Sequence, residues 1–303
     1  MPHRKVMGDR MKAEHALMRA TELACWQDPS QAQLLGGGMT NFNVRLSDQG
    51  REYVVRVGGD IPLHQVMRFN EQACHRAAEA IGLSPRIVHI EPGILAMEFV
   101  AGRPLLPEDV CDPAMIARVV PLLQRLHGEG LKALRGPVLM FWVFHILRDY
   151  AAALTEGGSP HLPGLSDLLG RADALQAAVG PVEIVLSHND LLPANLIDAG
   201  ERLWLIDWDY GGLNSPLFDL AGLASNCGFS AAQEQHMLEI YFDRPLKAEL
   251  WRRYGAMKCA SLLRETMWSM VSELHSKIDF DYAAYTAENR ARFEAAYQDF
   301  LNL

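Results

Sequence analysis

Apolar and polar positions alternate in short runs through residues 32–59, "AQLLGGGMTNFNVRLSDQGREYVVRVGG", with Gly- and Asp-containing turns between the runs. Period-two patterning with such turns predicts consecutive antiparallel strands, at about Gln33 to Leu35, Phe42 to Leu46 and Glu52 to Val57. The period then lengthens. In "VMRFNEQACHRAAEAIGL", Val66, Phe69, Ala73, Ala77, Ala80 and Ile81 recur at helical spacing, and Gly82 supplies a stop. "RIVHI" and "ILAMEFV" predict two more strands. From Asp112 the character changes: Asp112 and Pro113 form an N-cap and first helical residue, and Ile116, Val119, Val120, Leu123 and Leu126 make one apolar stripe. Pro121 is expected to kink that helix. Apart from residues 185–212, the remainder is helical in composition, residues 230–303 most strongly. The pattern predicts an α+β chain of two lobes, a small antiparallel-sheet N-terminal lobe and a larger, mostly helical C-terminal lobe. Their joint falls near "MEFVAGRP", residues 97–104.

Composition narrows the partners. At 303 residues, with 49% apolar residues, the chain has enough core for two packed lobes. A formal net charge of -9 with scattered basic residues argues against a nucleic-acid binder and favours small or cationic partners. Five cysteines lie far apart with no CxxC, which suggests neither a disulfide framework nor a zinc knuckle. The first residues lack the apolar core of a signal peptide, and "PVLMFWVFHIL" is too short to span a bilayer. A cytoplasmic protein without membrane insertion is expected. Oligomeric state stays open, a homodimer included.

The densest chemistry lies in "VLSHNDLLPANLIDAGERLWLIDWDYGG", which crowds His188, Asp190, Asn195, Asp207 and Asp209. Two apolar runs, "LI" and "LWLI", flank the turn-forming "DAGER". If they pair as a hairpin, its open end brings Asn195 beside Asp207, and Asp190 can overhang the same point. Carboxylates this close stay ionised together only if cations or donors offset them, and oxygen ligands suit Mg2+, which shares its shell with phosphate. Taken singly, each residue also reads as a turn former or a core histidine. A metallohydrolase built on His188, Asp190 and Asp207 is a rival, but it lacks further histidines at ligand spacing. Upstream, Gly36, Gly37 and Gly38 form a hairpin tip able to approach a polyanion through backbone N–H groups, or an ordinary turn. Arg56 sits in a strand between apolar neighbours and needs an anion, which Glu71 on the next helix could supply. This order of parts is that of a kinase-like phosphotransferase.

"SHNDLLPANLI" followed by "LIDWDY" resembles the HxDxxxxN and IDxE/D motifs of the aminoglycoside phosphotransferase and choline kinase superfamily, whose fold is protein-kinase-like. "GGGMTNFNVRL" is similar to the GGxxN loop of its choline/ethanolamine kinase branch, and "LLRETMWSMVSELHSKIDFDYAAYTAENRARFEAAY" to that branch's C-terminal end. The resemblance runs from about residue 31 to 297. It implies a nucleotide-binding lobe over residues 1–99 and a catalytic, substrate-binding lobe over 100–303. It implies ATP and Mg2+ as cofactors, with Asp190 orienting the acceptor hydroxyl or taking its proton and Asn195 and Asp207 holding the metal. Gly37, Gly38, Met39, Thr40 and Asn41 would cover the phosphates, Arg56 with Glu71 would meet the alpha and beta phosphates, and backbone groups from Glu98 to Val100 would meet the adenine. Asp219, in "PLFDLAG", would brace the catalytic loop.

The implied acceptor is an amine alcohol, choline first. A quaternary ammonium binds through aromatic faces, at about 0.5–2 kcal/mol per ring. Tyr210, Trp268, Phe280, Tyr282 and Tyr285 are the candidate rings, with Asp209 and Glu265 adding negative potential. Glu265 stands where relatives often carry another Trp, and Asn226 near the place where an acid is common. Ethanolamine and thiamine therefore fit as well, an aminoglycoside less so. A non-catalytic nucleotide-binding pseudokinase is the alternative from another class, opposed by the intact Asp190, Asn195 and Asp207.

Overall fold

Gln49 and Gly50 take φ angles of 51° and 73°, the left-handed pair that a two-residue hairpin turn needs. They close the hairpin between β2 (Phe42–Asp48) and β3 (Arg51–Val57), in which Asp48 faces Arg51. A computed structural model describes residues 13–36, 41–276 and 278–303. Around the hairpin, β1 (Ser30–Leu35), β4 (Ile87–Glu91) and β5 (Ile94–Glu98) complete a five-stranded antiparallel sheet in the order β1-β2-β3-β5-β4. Its inner positions, Val44, Leu46, Val55, Ile94 and Ala96, form one buried cluster with Ala20 and Leu23, carried by the helix over residues 13–21 (α1) and the turn after it. Burial alternates along β2 as period-two patterning requires.

Between β3 and β4 runs α2 (Arg68–Ala80). Its apolar stripe is not the whole of its buried face: Phe69 is exposed, whereas Asn70 and Glu71 are each only 1% accessible. The expected inward Phe69 is thus corrected, because this end of the helix turns polar side chains toward the junction of the lobes. Asn70 holds that junction. Its Nδ2 donates to the Gly211 carbonyl at 2.6 Å, and its Oδ1 accepts from the Leu139 amide at 2.8 Å.

The C-terminal part begins with β6 (Arg103–Pro104), α3 (Pro107–Val110) and α4 (Pro113–Ala133). Asp112 caps α4 by accepting from the Ala114 amide, and the predicted stripe from Ile116 to Leu126 is buried. α4 runs over Pro113–Ala133 as one helix with Pro121 inside it. Next come α5 (Val143–Glu156), α6 (Leu162–Val179), β7 (Val185–Ser187), β8 (Leu196–Asp198), β9 (Leu203–Leu205) and β10 (Gly212–Asn214). The chain closes with α7 (Pro216–Cys227), α8 (Ala231–Phe242), α9 (Ala248–His275) and α10 (Tyr282–Leu301). α9 packs against α5, α6, α7 and α10. A helix covered on several sides shows no single apolar stripe, and its buried residues accordingly include Met257, Leu263, Arg264, Met267 and Val271. β7 pairs with β10, and β6, β8 and β9 form a second small sheet. At Gly212 a Cβ would stand 2.7 Å from the Leu139 carbonyl, so only glycine lets β10 approach so closely.

All five cysteines are free. Among the described residues no helix is long and apolar enough to cross a membrane.

Candidate active site

The β8–β9 hairpin sets Leu196 opposite Leu205, and beyond that pair the Ile206 amide donates to the Asn195 carbonyl at 3.0 Å. Asn195 and Asp207 therefore stand together at the open end. Asp207 has a φ of 67°, a conformation that costs a residue with a side chain on the order of 1–3 kcal/mol and is held by its surroundings. Asn195 Nδ2 donates to the Asp190 carbonyl at 2.9 Å, tying the acid loop to the hairpin.

That loop follows β7 and is braced from below. Asp219, in the first turn of α7 and buried, accepts from the His188 amide at 2.8 Å and the Asn189 amide at 2.7 Å, and faces His127 Nε2 at 3.0 Å. Asn189 also has a positive φ, 66°. Its side chain donates to the Tyr210 carbonyl at 2.9 Å and accepts from Asn214 at 2.8 Å. His188 Nε2 meets the Ile206 carbonyl at 2.9 Å, and burial pushes its pKa down, so it is a neutral strut. Burial pushes the Asp190 carboxyl up to about 7, with Arg264 pulling the other way. A group with that pKa can exchange a proton near neutral pH.

On the sheet side, Arg56 of β3 pairs closely with Glu71 and Asp207 and reaches Asp209 at 2.8 Å. Arg68 bonds Glu71 at 2.6 Å and Asp209 at 2.7 Å, and Asn41 donates to Asp209 at 2.8 Å. Burial alone would raise the Asp209 carboxyl, but Arg56 and Arg68 hold it below its ordinary value. Arg56 is held charged by Asp207, Glu71 and Asp209 against the opposing effect of burial. Among the described residues, two guanidinium groups face three carboxylates here. No group of three or more His, Cys, Asp or Glu that could hold a metal occurs among the described residues. A few oxygen donors beside a phosphate site is instead how Mg2+ is usually held. Asn195 and Asp207 fit that pattern: Arg56 engages Oδ1 of Asp207, and among the described residues the Asn195 side chain bonds through its Nδ2 alone.

Next to this cluster lies a cavity of about 210 Å³. Asp190, Asp207, Asp209, Arg56 and Asn41 line it together with Tyr210, Arg264, Glu265, Trp268, Tyr285 and Arg292. Trp268 Nε1 donates to the Tyr210 hydroxyl at 3.1 Å. Two predicted rings do not line it. α10 starts at Tyr282, which turns inward so that its hydroxyl meets Ser276 at 2.9 Å, and Phe280 is left on the surface before the helix. Asp209, expected to add negative potential near the amine, lines the cavity and is also bound by Arg56, Arg68 and Asn41. Glu98 spends its side chain on Arg86 at 2.7 Å. The amides of Glu98 and Phe99 donate to the Arg86 and Glu52 carbonyls, while that of Val100 has no partner among the described residues. Gly37, Gly38, Met39 and Thr40 lie outside the described residues.

Sequence reasoning missed Arg68, Asn189 and Arg264. Arg264 carried a signal, a lone cation within the apolar turns of "SLLRETMW". Arg68 and Asn189 carried none, since their partners lie far along the chain.

An antiparallel-sheet lobe on a helical lobe, with an acid loop, an Asn–Asp hairpin end and a strand arginine at the junction, is the arrangement of a phosphotransferase with the protein-kinase-like fold. Residues 32–295 match the pattern of the family described as choline/ethanolamine kinase. The chain is 29% identical over 265 residues to Protein LicA of Haemophilus influenzae, covering 82% of this chain and 75% of that protein. It is 25% identical over 284 residues to a probable ethanolamine kinase of Arabidopsis thaliana, covering 83% and 75%. Among solved structures, a choline/ethanolamine kinase family protein of Mesorhizobium loti superposes with a TM-score of 0.75 at 28% identity, covering 96% of this chain and 94% of the other. The chain belongs to the choline/ethanolamine kinase family, phosphotransferases that use an alcohol group as acceptor.

Proposed function

We propose that the protein transfers the terminal phosphoryl group of ATP to the hydroxyl of a small amine alcohol of the choline and ethanolamine class. The observation that carries this reading is that Asp190 and Asp207 line one cavity with Tyr210, Trp268 and Tyr285, while Asn195 is tied to the Asp190 carbonyl and the Ile206 amide beside them. In this scheme Asp190 orients the acceptor hydroxyl and receives its proton. Asn195 and Asp207 would hold Mg2+, which when bound neutralises charge on the phosphates. Arg56 adds positive charge, positioned by Glu71 and Asp209. Because phosphoryl transfer proceeds through a loose transition state, positioning and charge matter more than base strength.

Residues 1–99 form the nucleotide lobe in this reading and 100–303 the acceptor lobe, with the Val100 amide as the adenine donor. The cytoplasm, which supplies ATP and keeps thiols reduced, is the proposed site of action. The test is phosphorus NMR of the protein with magnesium-ATP and choline or ethanolamine. A new phosphomonoester resonance with matching ADP, abolished by EDTA, is expected. ATP left intact with both acceptors contradicts the assignment.

A further inference from the structure

We infer that Arg264 makes the cavity selective for amine alcohols whose nitrogen still carries N–H bonds, and against quaternary ones; the inference rests on the kinase reading above. Arg264 is a buried residue of α9. Its guanidinium carbon stands 4.8 Å from the centre of the Tyr210 ring and 5.5 Å from that of Phe141. Arg264 also donates to Glu265 Oε2 at 2.6 Å, and Glu265 Oε1 accepts from the Tyr285 hydroxyl at 2.8 Å. Arg264, Tyr210, Glu265, Trp268 and Tyr285 all line the same cavity.

A quaternary ammonium has no hydrogen to donate and is held by ring faces and by charge attraction without a hydrogen bond. Here the protein's own cation stands over one of the three predicted rings that line the cavity, and a second cation brought alongside is repelled. An ammonium with N–H bonds offsets that repulsion through Glu265. A carboxylate offers about four acceptor positions, and the described residues use one on each oxygen of Glu265. Loss of a hydrogen bond that a site is built to make discriminates far more strongly than a change in apolar bulk. Arg264 and Glu265 therefore act together: the carboxylate rewards N–H, and the guanidinium penalises a cation that cannot use the carboxylate.

The test is the series ethanolamine, N-methylethanolamine, N,N-dimethylethanolamine and choline, with magnesium-ATP. Rates of ADP formation give kcat/KM, and phosphorus NMR verifies each ester. For the unmodified protein kcat/KM should fall by about 100-fold across the series, most sharply at the last step, where the final N–H is lost. Arg264→Leu should narrow the span to about tenfold or less, chiefly by lowering the KM for choline. Choline used as well as ethanolamine by the unmodified protein, or an unchanged span in the variant, overturns the inference. Should Arg264→Leu not fold, Glu265→Gln replaces it: ethanolamine is expected to drop toward choline, and no drop overturns the role given to this pair. Phosphorylation of none of the four overturns the acceptor class itself, and this inference with it.

Discussion

Replacing Asp219 by Asn changes one atom and disturbs three contacts. The carboxylate accepts the Asn189 amide on Oδ1 and the His188 amide on Oδ2, which also faces His127. An amide side chain has a single acceptor oxygen, so in either orientation one buried backbone N–H loses its partner. That costs about 1–3 kcal/mol. The surviving bond falls from charge-assisted to neutral, a further loss of about 1 kcal/mol. A total of about 2–4 kcal/mol is expected, large but survivable for a fold with typical stability of about 5–15 kcal/mol. Urea unfolding followed by circular dichroism should show a lower midpoint with an unchanged slope. Because the braced amides immediately precede Asp190, kcat should fall while nucleotide affinity holds. A stability loss under about 1 kcal/mol would refute the reasoning, since a buried donor cannot lose its acceptor so cheaply.

Arg56→Met removes the cation shared by Glu71, Asp207 and Asp209 and should cost about 3–5 kcal/mol in the same urea assay, with part recovered on adding Glu71→Gln; full stability in the single variant contradicts the cluster's role. Burial pushes His64 and His75 down to about 4, against about 6.5 in the unfolded chain. The unfolded state thus takes up more protons as pH falls, so the stability these neutral rings confer, complete above pH 6.5, is lost as pH drops toward 4. Thermal midpoints measured from pH 7 to 4 should fall more gently in His75→Gln, and parallel curves would count against it.

Local chemistry made the hairpin legible. "LIDAGERLWLI" specifies its own turn and pairing, so the meeting of Asn195 and Asp207 could be argued without a structure. The pairing of Arg56 with Glu71 was legible for a similar reason: an apolar strand with one cation demands a nearby acid, and α2 offers it fifteen positions on. Arg68 was not legible, because its second partner, Asp209, lies 141 positions away. Phe69 misled because burial was expected to follow apolarity, whereas next to a charged site the helix buries Asn70 and Glu71. The aromatic residues near the C-terminus showed the converse. Composition marked five rings, but only the start of α10 and the seat of Trp268 decide which three reach the cavity.

The most direct test of the phosphotransfer centre is the turnover of Asp190→Asn beside its affinity for magnesium-ATP. If Asp190 handles the acceptor proton, kcat should fall by about 100- to 10 000-fold while nucleotide affinity, measured by calorimetry, stays within about twofold. Turnover close to that of the unmodified protein would contradict the account, because the loop braced by Asp219 would then carry a carboxylate that the reaction does not need.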